Sequence, residues 1–484
     1  MSFLIKGCEL LEITGLQDVR ISHGVIEKIN SNILPIDEDT VIHASGGLLL
    51  PGLHDHHIHL LSLAASLNSV HCGPGEVQTE AELSAILQAE NNNKTTDWLR
   101  GIGYHESVAG DISRDWLDAY IPDRPARIQH RGGRLWVLNS AGLEALGLLN
   151  KASEDNLPQG LEKKDNGRLT GRLYENDAWL RNRLPNKMPD LSEASYRLAS
   201  CGVSSITDTS PSNGVQEWNH FHSQQKSGKL LQAVRVMGSL NFDRELKKLP
   251  TDPLLTMGEY KVHLLESDLP NFDTLCSDMT EAHLRGRNIA IHCVTHTELV
   301  FAISCLEEVG IVEGDRIEHA SITSPKMVSR LSENGLRVVT QPHFISERGD
   351  QYLHDVEIDE QPYLYRLQSF LKTGVALAAG SDAPFGGFDP WSSIRAATRR
   401  RPPNGVVLGE NEVLSPEQAL ALYTSDPAKP GLRQRSISPG EEASLCLLNK
   451  PWAKAREILS SDMVTRTWHL GKLIYSHHYT RGQN

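Results

Sequence analysis

The stretch Gly52–His59, GLHDHHIH, sets four imidazoles and a carboxylate side by side. Neutral imidazole nitrogens ligate transition metals, and two of them on one side of an extended segment can chelate one ion. A histidine-rich turn without metal is the other reading of so short a motif. Side chains along a strand alternate between faces. Asp55, His57 and His59 therefore share one face, and His54 and His56 the other. His57 and His59 are the pair placed to chelate; His54 and His56 carry no assigned chemistry.

Other segments end an apolar run on a residue with metal or proton chemistry. IAIHC ends near His292, RIEHA on His319 and VALAAGSD on Asp382, while EYKVHLLE puts Lys261 and His263 on one face. Each alone has an ordinary explanation: a core histidine, a helix cap, a lysine reaching for solvent. Their joint placement at the ends of successive strands is what a barrel mouth needs, because such barrels carry their chemistry at the C-terminal ends of different strands.

The elements that must hold these residues follow from the pattern. Eight strand candidates lie at 52–59, 126–130, 203–207, 260–266, 289–293, 316–320, 337–341 and 375–382. Amphipathic helical segments separate them, several ending at glycine. Strand and helix alternating in this way predict an α/β fold, a (β/α)8 TIM-like barrel over 51–434. The gaps 60–125 and 131–202 exceed ordinary connections, which predicts long insertions after strands 1 and 2. The two ends of the chain alternate polar and apolar residues and break at glycine. They predict a small β-sandwich domain built from 1–50 and 435–484.

Bulk properties narrow the field. A net charge of −13 disfavours a nucleic-acid partner, which needs a basic face. The run of three arginines in ATRRRPPNG reads as a solvated loop. No apolar window approaches the ~18 residues of a membrane span, and the N-terminus lacks a signal-peptide pattern. Seven cysteines without paired spacing read as reduced thiols. Together these predict a cytoplasmic protein with no membrane partner.

The ordered set LLLPGLHDHHIHL, LNSAGLEALGL, LASCGVSSITDTS, IAIHCVTH, RIEHAS, TQPHF, AAGSDAPFGGFDP and IRAATRR, closed by LSPEQALALYTSDPAKPGLRQRSISPGEEASLCLLN, resembles the metal-dependent amidohydrolase superfamily, subgroup amidohydrolase family 3. The resemblance covers nearly the whole chain. It implies the barrel and split β domain, and a centre of two divalent metals, zinc first and manganese or iron as alternatives. His57 and His59 would bind one ion, His292 and His319 the other, and Lys261 would bridge them. A free ammonium cannot ligate a cation, so Lys261 is expected as the N-carboxylated form. Asp382 would bind metal and shuttle the proton. Two such cations lower the pKa of a shared water to give hydroxide and polarise a carbonyl. Asp382 would then return the proton to a leaving nitrogen. Asp55 and Glu318 are expected to orient the ligands.

The expected reaction is hydrolysis of a carbon–nitrogen bond in a small amide, N-acyl, formamide or carbamate compound. Ester or lactone hydrolysis uses the same chemistry. A deaminase usually carries His-x-x-Glu after the fifth strand, and Thr295 holds that place in HCVTHTE. A non-catalytic scaffold would have lost ligands. Departures from the family pattern mark the substrate side. Arg134 stands where relatives carry a histidine, with Arg131 nearby; either would suit a substrate carboxylate, and a surface ion pair is the alternative. His263 and Glu266, Tyr104 and His105, and His343 in TQPHF occupy further pocket positions. Relatives are often homodimers.

Overall fold

The computed structural model describes residues 2–74, 76–93, 97–149, 157–184, 188–246 and 252–477. The end of the expected sandwich segment, 478–484, lies outside them. In chain order, β1 (Ser2–Leu10), β2 (Ile13–Ser22), β3 (Val25–Asn30) and β4 (Asp39–His43) form a sheet of order β3-β2-β1-β4. β5 (Leu49–Pro51) leads into β6 (Leu53–Ile58). β7 (Val70–His71), β8 (Leu99–Tyr104), β9 (Ala126–His130), β10 (Leu135–Leu138), β11 (Leu161–Lys163) and β12 (Leu169–Tyr174) make a separate six-stranded sheet. β13 (Val203–Asp208), β14 (Ala233–Gly238), β15 (Leu255–His263), β16 (Ile289–Cys293), β17 (Arg316–His319), β18 (Arg337–Thr340) and β19 (Leu377–Ala379) follow, then β20 (Leu445–Leu448), β21 (Val464–His469) and β22 (Lys472–Ser476).

β6 and β13 to β19 are eight parallel strands in the order β19-β18-β17-β16-β15-β14-β13-β6. This is the TIM-like barrel. Both faces of these strands are covered, so β6, β13, β17, β18 and β19 are buried throughout. Backbone bonds join the last strand's end to the first: Asp382 N donates to His57 O at 2.7 Å, and His59 N to Ala383 O at 3.0 Å. Gly380 permits this closure. A Cβ there would stand 2.3 Å from His57 N and 2.5 Å from His57 Cβ.

The termini meet as two facing sheets. β5 joins the sheet β22-β21-β20-β5. Leu49, Leu445, Leu447 and Trp468 share one core with Phe3, Ile5, Val19 and Ile21. Alternation along β1 and β21 places these apolar residues on the inner faces.

Two expectations need correction. The segment 126–130 is β9 of the six-stranded sheet, not a barrel strand; the barrel strand that the pattern missed is β14. Arg235 interrupts the apolar run of β14, and its guanidinium is satisfied by Glu259 of β15 at 3.2 Å. A charge that is paired inside the barrel looks from sequence like a break in a buried strand. Consequently there is one insertion between the first two barrel strands, rather than one after each. The chain divides into two compact units, Met1–Ser62 with Leu191–Asn484, and Leu63–Asp190.

The second unit has its own logic. Asn139 caps the helix Ser140–Ala145. Its Oδ1 accepts from Gly142 N at 2.8 Å and Ala126 N at 2.9 Å, and its Nδ2 donates to Ile121 O at 2.6 Å. The LWVLNSAG motif is thus a structural knot. All seven cysteines are free and buried. Among the described residues no helix is long and apolar enough to cross a membrane.

Candidate metal centre

The C-terminal ends of β6, β15, β16, β17 and β19 carry a row of imidazoles flanked by an acid and an amine. Ring centroids lie 5.5 Å apart for His59 and His57, 4.7 Å for His57 and His319, 4.5 Å for His319 and His292, and 4.4 Å for His292 and His263. Asp382 Oδ1 stands 3.2 Å from His59 Nε2 and 3.4 Å from His57 Nε2. One ligand atom from each of His57, His59 and Asp382 falls within 4.8 Å of the others, close enough to share an ion.

The tautomers favour ligation. His57 Nδ1 donates to Glu318 Oε2 at 2.5 Å, which turns the Nε2 lone pair toward Asp382. Glu318 Oε1 accepts from Arg316 Nε at 2.6 Å, and Arg316 Nη2 donates to the His56 carbonyl at 3.1 Å. His319 Nδ1 donates to Gln341 Oε1 at 2.7 Å, and His59 Nδ1 pairs with Ser210 Oγ at 3.0 Å. Such outer bonds fix the ring plane and the free nitrogen of a metal-ligating histidine. Glu318 therefore orients His57, across the barrel, although it adjoins His319 in sequence. Arg316, Gln341 and Ser210 escaped the sequence reading, because their partners are set by strand neighbourhood alone. Asp55 holds the backbone instead: its Oδ1 accepts from His57 N at 3.1 Å and Ser381 N at 2.9 Å.

Two residues of the candidate centre hold strained backbone. Asp382 has φ 52° and His319 φ 64°, in the left-handed region that costs a residue with a Cβ. That twist re-aims each side chain at a strand end.

Burial and neighbouring charges set the protonation of the cluster. Burial opposes the charge on Asp382, yet His57 and His59, packed against it, hold its carboxyl well below the usual range. Burial likewise opposes Glu318, and Arg316, Lys261 and His57 overcome it, keeping Glu318 ionised. Burial lowers His319 to about 3, with His57 adding to the effect, and also lowers His292, which His319 and Lys261 reinforce. Against burial, Glu318 raises His57. Lys261 is 5 % exposed, and its Nζ has no hydrogen-bond partner. Burial pulls its pKa down. An unpaired buried ammonium is costly, whereas a neutral amine here is a nucleophile toward carbon dioxide. These residues fit a divalent metal and a modified lysine.

The remaining expected site residues separate into groups. His263 is exposed at the end of β15, against His292. His343 is buried with both ring nitrogens engaged: Nε2 donates to Ser381 O at 3.0 Å and Nδ1 meets Ser393 Oγ at 3.1 Å. It anchors the segment before Asp382 and has no nitrogen left for a substrate, which corrects the substrate-binding expectation. His105, Arg131 and Arg134 belong to the second unit. His105 caps the helix Glu106–Ala109, with Nδ1 accepting from Ser107 N at 3.2 Å. Arg131 is exposed, and Arg134 is an exposed ion pair with Glu175 at 3.4 Å. Thr295 and Glu298 form the capping box of the helix His296–Val309. His54 bonds Ser205 at 2.7 Å and Thr207 at 2.9 Å, and His56 bonds Ser425 at 3.0 Å, so both serve packing between elements.

Comparison with known proteins agrees with this architecture. The chain is 25% identical over 90% of its length, and 90% of the relative's, to an N-substituted formamide deformylase of Arthrobacter pascens. It is 23% identical to the putative amidohydrolase YtcJ of Bacillus subtilis, over 90% of this chain and 91% of that one. A solved structure of an uncharacterized metal-dependent hydrolase from Pyrococcus furiosus superposes with a TM-score of 0.75 and 22% identity, covering 93% of this chain and 99% of that one. The sequence profile of the amidohydrolase family matches residues 40–475, and with most of its length so matched this chain belongs to the amidohydrolase family.

Proposed function

We propose that this protein is a metal-dependent hydrolase that cleaves a carbon–nitrogen bond of a small amide, N-acyl, formamide or carbamate compound. The observation that carries the reading is the convergence of His57, His59 and Asp382 within 4.8 Å, beside the unpartnered buried Nζ of Lys261. His57, His59 and Asp382 would hold one divalent ion. His292, His319 and a carboxylated Lys261 would hold the second. Zinc suits imidazole and carboxylate ligands. Such ions, when bound, make water acidic enough to ionise near neutral pH and draw electron density from a carbonyl.

The chain's own groups do the rest. Glu318 keeps Nδ1 of His57 protonated, so its Nε2 stays a donor of electrons. Asp382 is ionised and placed to take a proton from the attacking water. It returns that proton to the leaving nitrogen, which an amide needs because an amide anion leaves poorly. His263 stands at the rim as a substrate contact. The deformylase relative supports a carbon–nitrogen substrate for this chain too.

Metal analysis combined with a hydrolysis screen tests the proposal. Protein loaded with zinc or manganese in ¹³C-bicarbonate is expected to hold metal, to show a carbamate carbonyl resonance, and to cleave members of an amide, N-acyl and formamide library. Protein that binds no metal and cleaves nothing would overturn it. Cleavage confined to esters and lactones would replace it with the ester reading.

A further inference from the structure

Beside the metal centre, the turn that follows Asp382 carries a feature that the chemistry above leaves unused. Phe385 N donates to Asp382 O at 2.8 Å, which closes the turn. The Phe385 ring is 59 % exposed and meets the His59 ring edge-on at 5.6 Å. A large aromatic this open beside His59 presents an apolar wall. Arg348, in the helix His343–Asp355, donates Nη2 to the Phe385 carbonyl. Its guanidinium carbon also lies 4.3 Å from the centre of the Phe344 ring. The carbonyl and the ring hold the guanidinium in one place and leave its charge in place. Among the described residues no carboxylate pairs with Arg348. The adjacent Glu347 is turned to the backbone instead of to this guanidinium: its Oε1 accepts from Gly387 N at 3.1 Å.

We propose that Arg348 and Phe385 form the substrate-recognition subsite of this centre, and that the substrate is a carboxylate-bearing N-acyl or amide compound with an apolar side chain. The proposal rests on the hydrolase reading above and names its substrate class. The acyl group lies at the metal centre, the apolar side chain on Phe385, and the carboxylate on Arg348. A guanidinium presents paired N–H donors that match a planar carboxylate. Pre-anchoring reduces the ordering cost of the contact. Arg134, the exposed arginine of the second unit, already pairs with Glu175.

Binding tests the subsite separately from catalysis. Calorimetry on zinc-loaded protein would use N-acetyl-phenylalanine, both enantiomers, and the neutral N-acetyl-phenylalaninamide. The acid is expected to bind more tightly than the amide. Arg348→Met is expected to weaken the acid roughly 10- to 100-fold and leave the amide nearly unchanged. Arg348→Lys would recover part of the loss. Phe385→Ala would weaken acid and amide alike, and Arg134→Ala neither. Equal losses for acid and amide in Arg348→Met, or a preference that follows Arg134 instead, would overturn the proposal. So would loss of zinc from Arg348→Met in step with loss of the probe, because Arg348 would then be only a clamp on the Asp382 turn. If Arg348→Met does not fold, Arg348→Lys and Phe385→Ala carry the same comparison. A protein that prefers the acid but hydrolyses nothing would refute the hydrolase reading and retain the subsite. One that hydrolyses neutral amides with no acid preference would do the reverse.

Discussion

At the residue scale, the centre depends on which nitrogen of each imidazole faces inward. Glu318 and Arg316 decide this for His57 through bonds of 2.5 and 2.6 Å, both residues being fully buried. Glu318→Gln keeps the shape and removes the charge. It is expected to weaken zinc binding about 10- to 100-fold, read by equilibrium dialysis against a zinc buffer; unchanged affinity would remove Glu318 from that role. Asp382→Asn is expected to retain metal and lose most turnover, since the amide cannot take up the proton. Metal content by mass spectrometry and turnover on one cleaved substrate check it, and full turnover would end the shuttle role. His292, His319 and Asp382 stood out in sequence because each closes an apolar run, His57 and His59 because they share a strand face, and Lys261 because it shares one with His263, patterns that survive without coordinates. Their orienting partners did not. Gln341 lies in the strand-end segment TQPHF, and only the adjacency of β17 and β18 reveals that it holds His319.

At the element scale, the barrel closes where β19 approaches β6, and the closure presents Asp382 to His57. Gly380→Ala would place a methyl 2.3 Å from a backbone nitrogen. Backbone cannot step aside as a flexible side chain would. The substitution is expected to cost about 1–3 kcal/mol and to lower metal content, measured by denaturant unfolding and metal analysis. A wild-type result on both would show that the strand ends are not held as described. A different element supplies a pH effect. Asp39 accepts from Arg20 Nη2 at 2.9 Å and from Ser2 Oγ at 2.6 Å. Burial opposes its charge, but Ser2, the Ile36 N–H and Arg20 lower its pKa below 3.8. A depressed folded-state pKa means that the stabilisation is complete above the unfolded value and fades as pH falls through the folded one. Thermal stability is expected to drop on acidification below about pH 4, and less steeply in Asp39→Asn; equal slopes would exclude Asp39 as a source. Seven of the eight barrel strands were legible as apolar runs. β14 was not, because Arg235 breaks the run and only Glu259 on the neighbouring strand explains it. β9 took its place, since a short buried strand reads alike in either sheet.

At the scale of the whole molecule, strands from near both ends of the chain, β1 to β4 and β20 to β22 with β5, meet in a sandwich whose described residues add none of the candidate ligands. The alternation at both ends made that pairing legible; the second unit was not, because nothing in the sequence tells one long insertion with a sheet of its own from two extended loops. The sandwich then has to serve stability, by tying the barrel's entry and exit together. Trp468 is the test. It is fully buried, its ring meets Phe3 edge-on at 6.0 Å, and it shares the core of strands from both termini. One residue earlier, Thr467 Oγ1 donates to Ala199 O at 2.7 Å, just ahead of the barrel strand β13. Trp468→Ala is expected to cost about 3–5 kcal/mol, the range for an aromatic removed from a packed core. Because no ligand moves, zinc content and turnover at 25 °C should stay near wild type while the unfolding midpoint falls. Denaturant titration followed by both far-UV circular dichroism and zinc release separates the alternatives. Coincident transitions, shifted together, would mean that the sandwich and the barrel unfold as one cooperative unit. A sandwich that melts first, with zinc retained through that step, would mean that the barrel holds its centre without the closure of its ends, and would contradict the stabilising role assigned here.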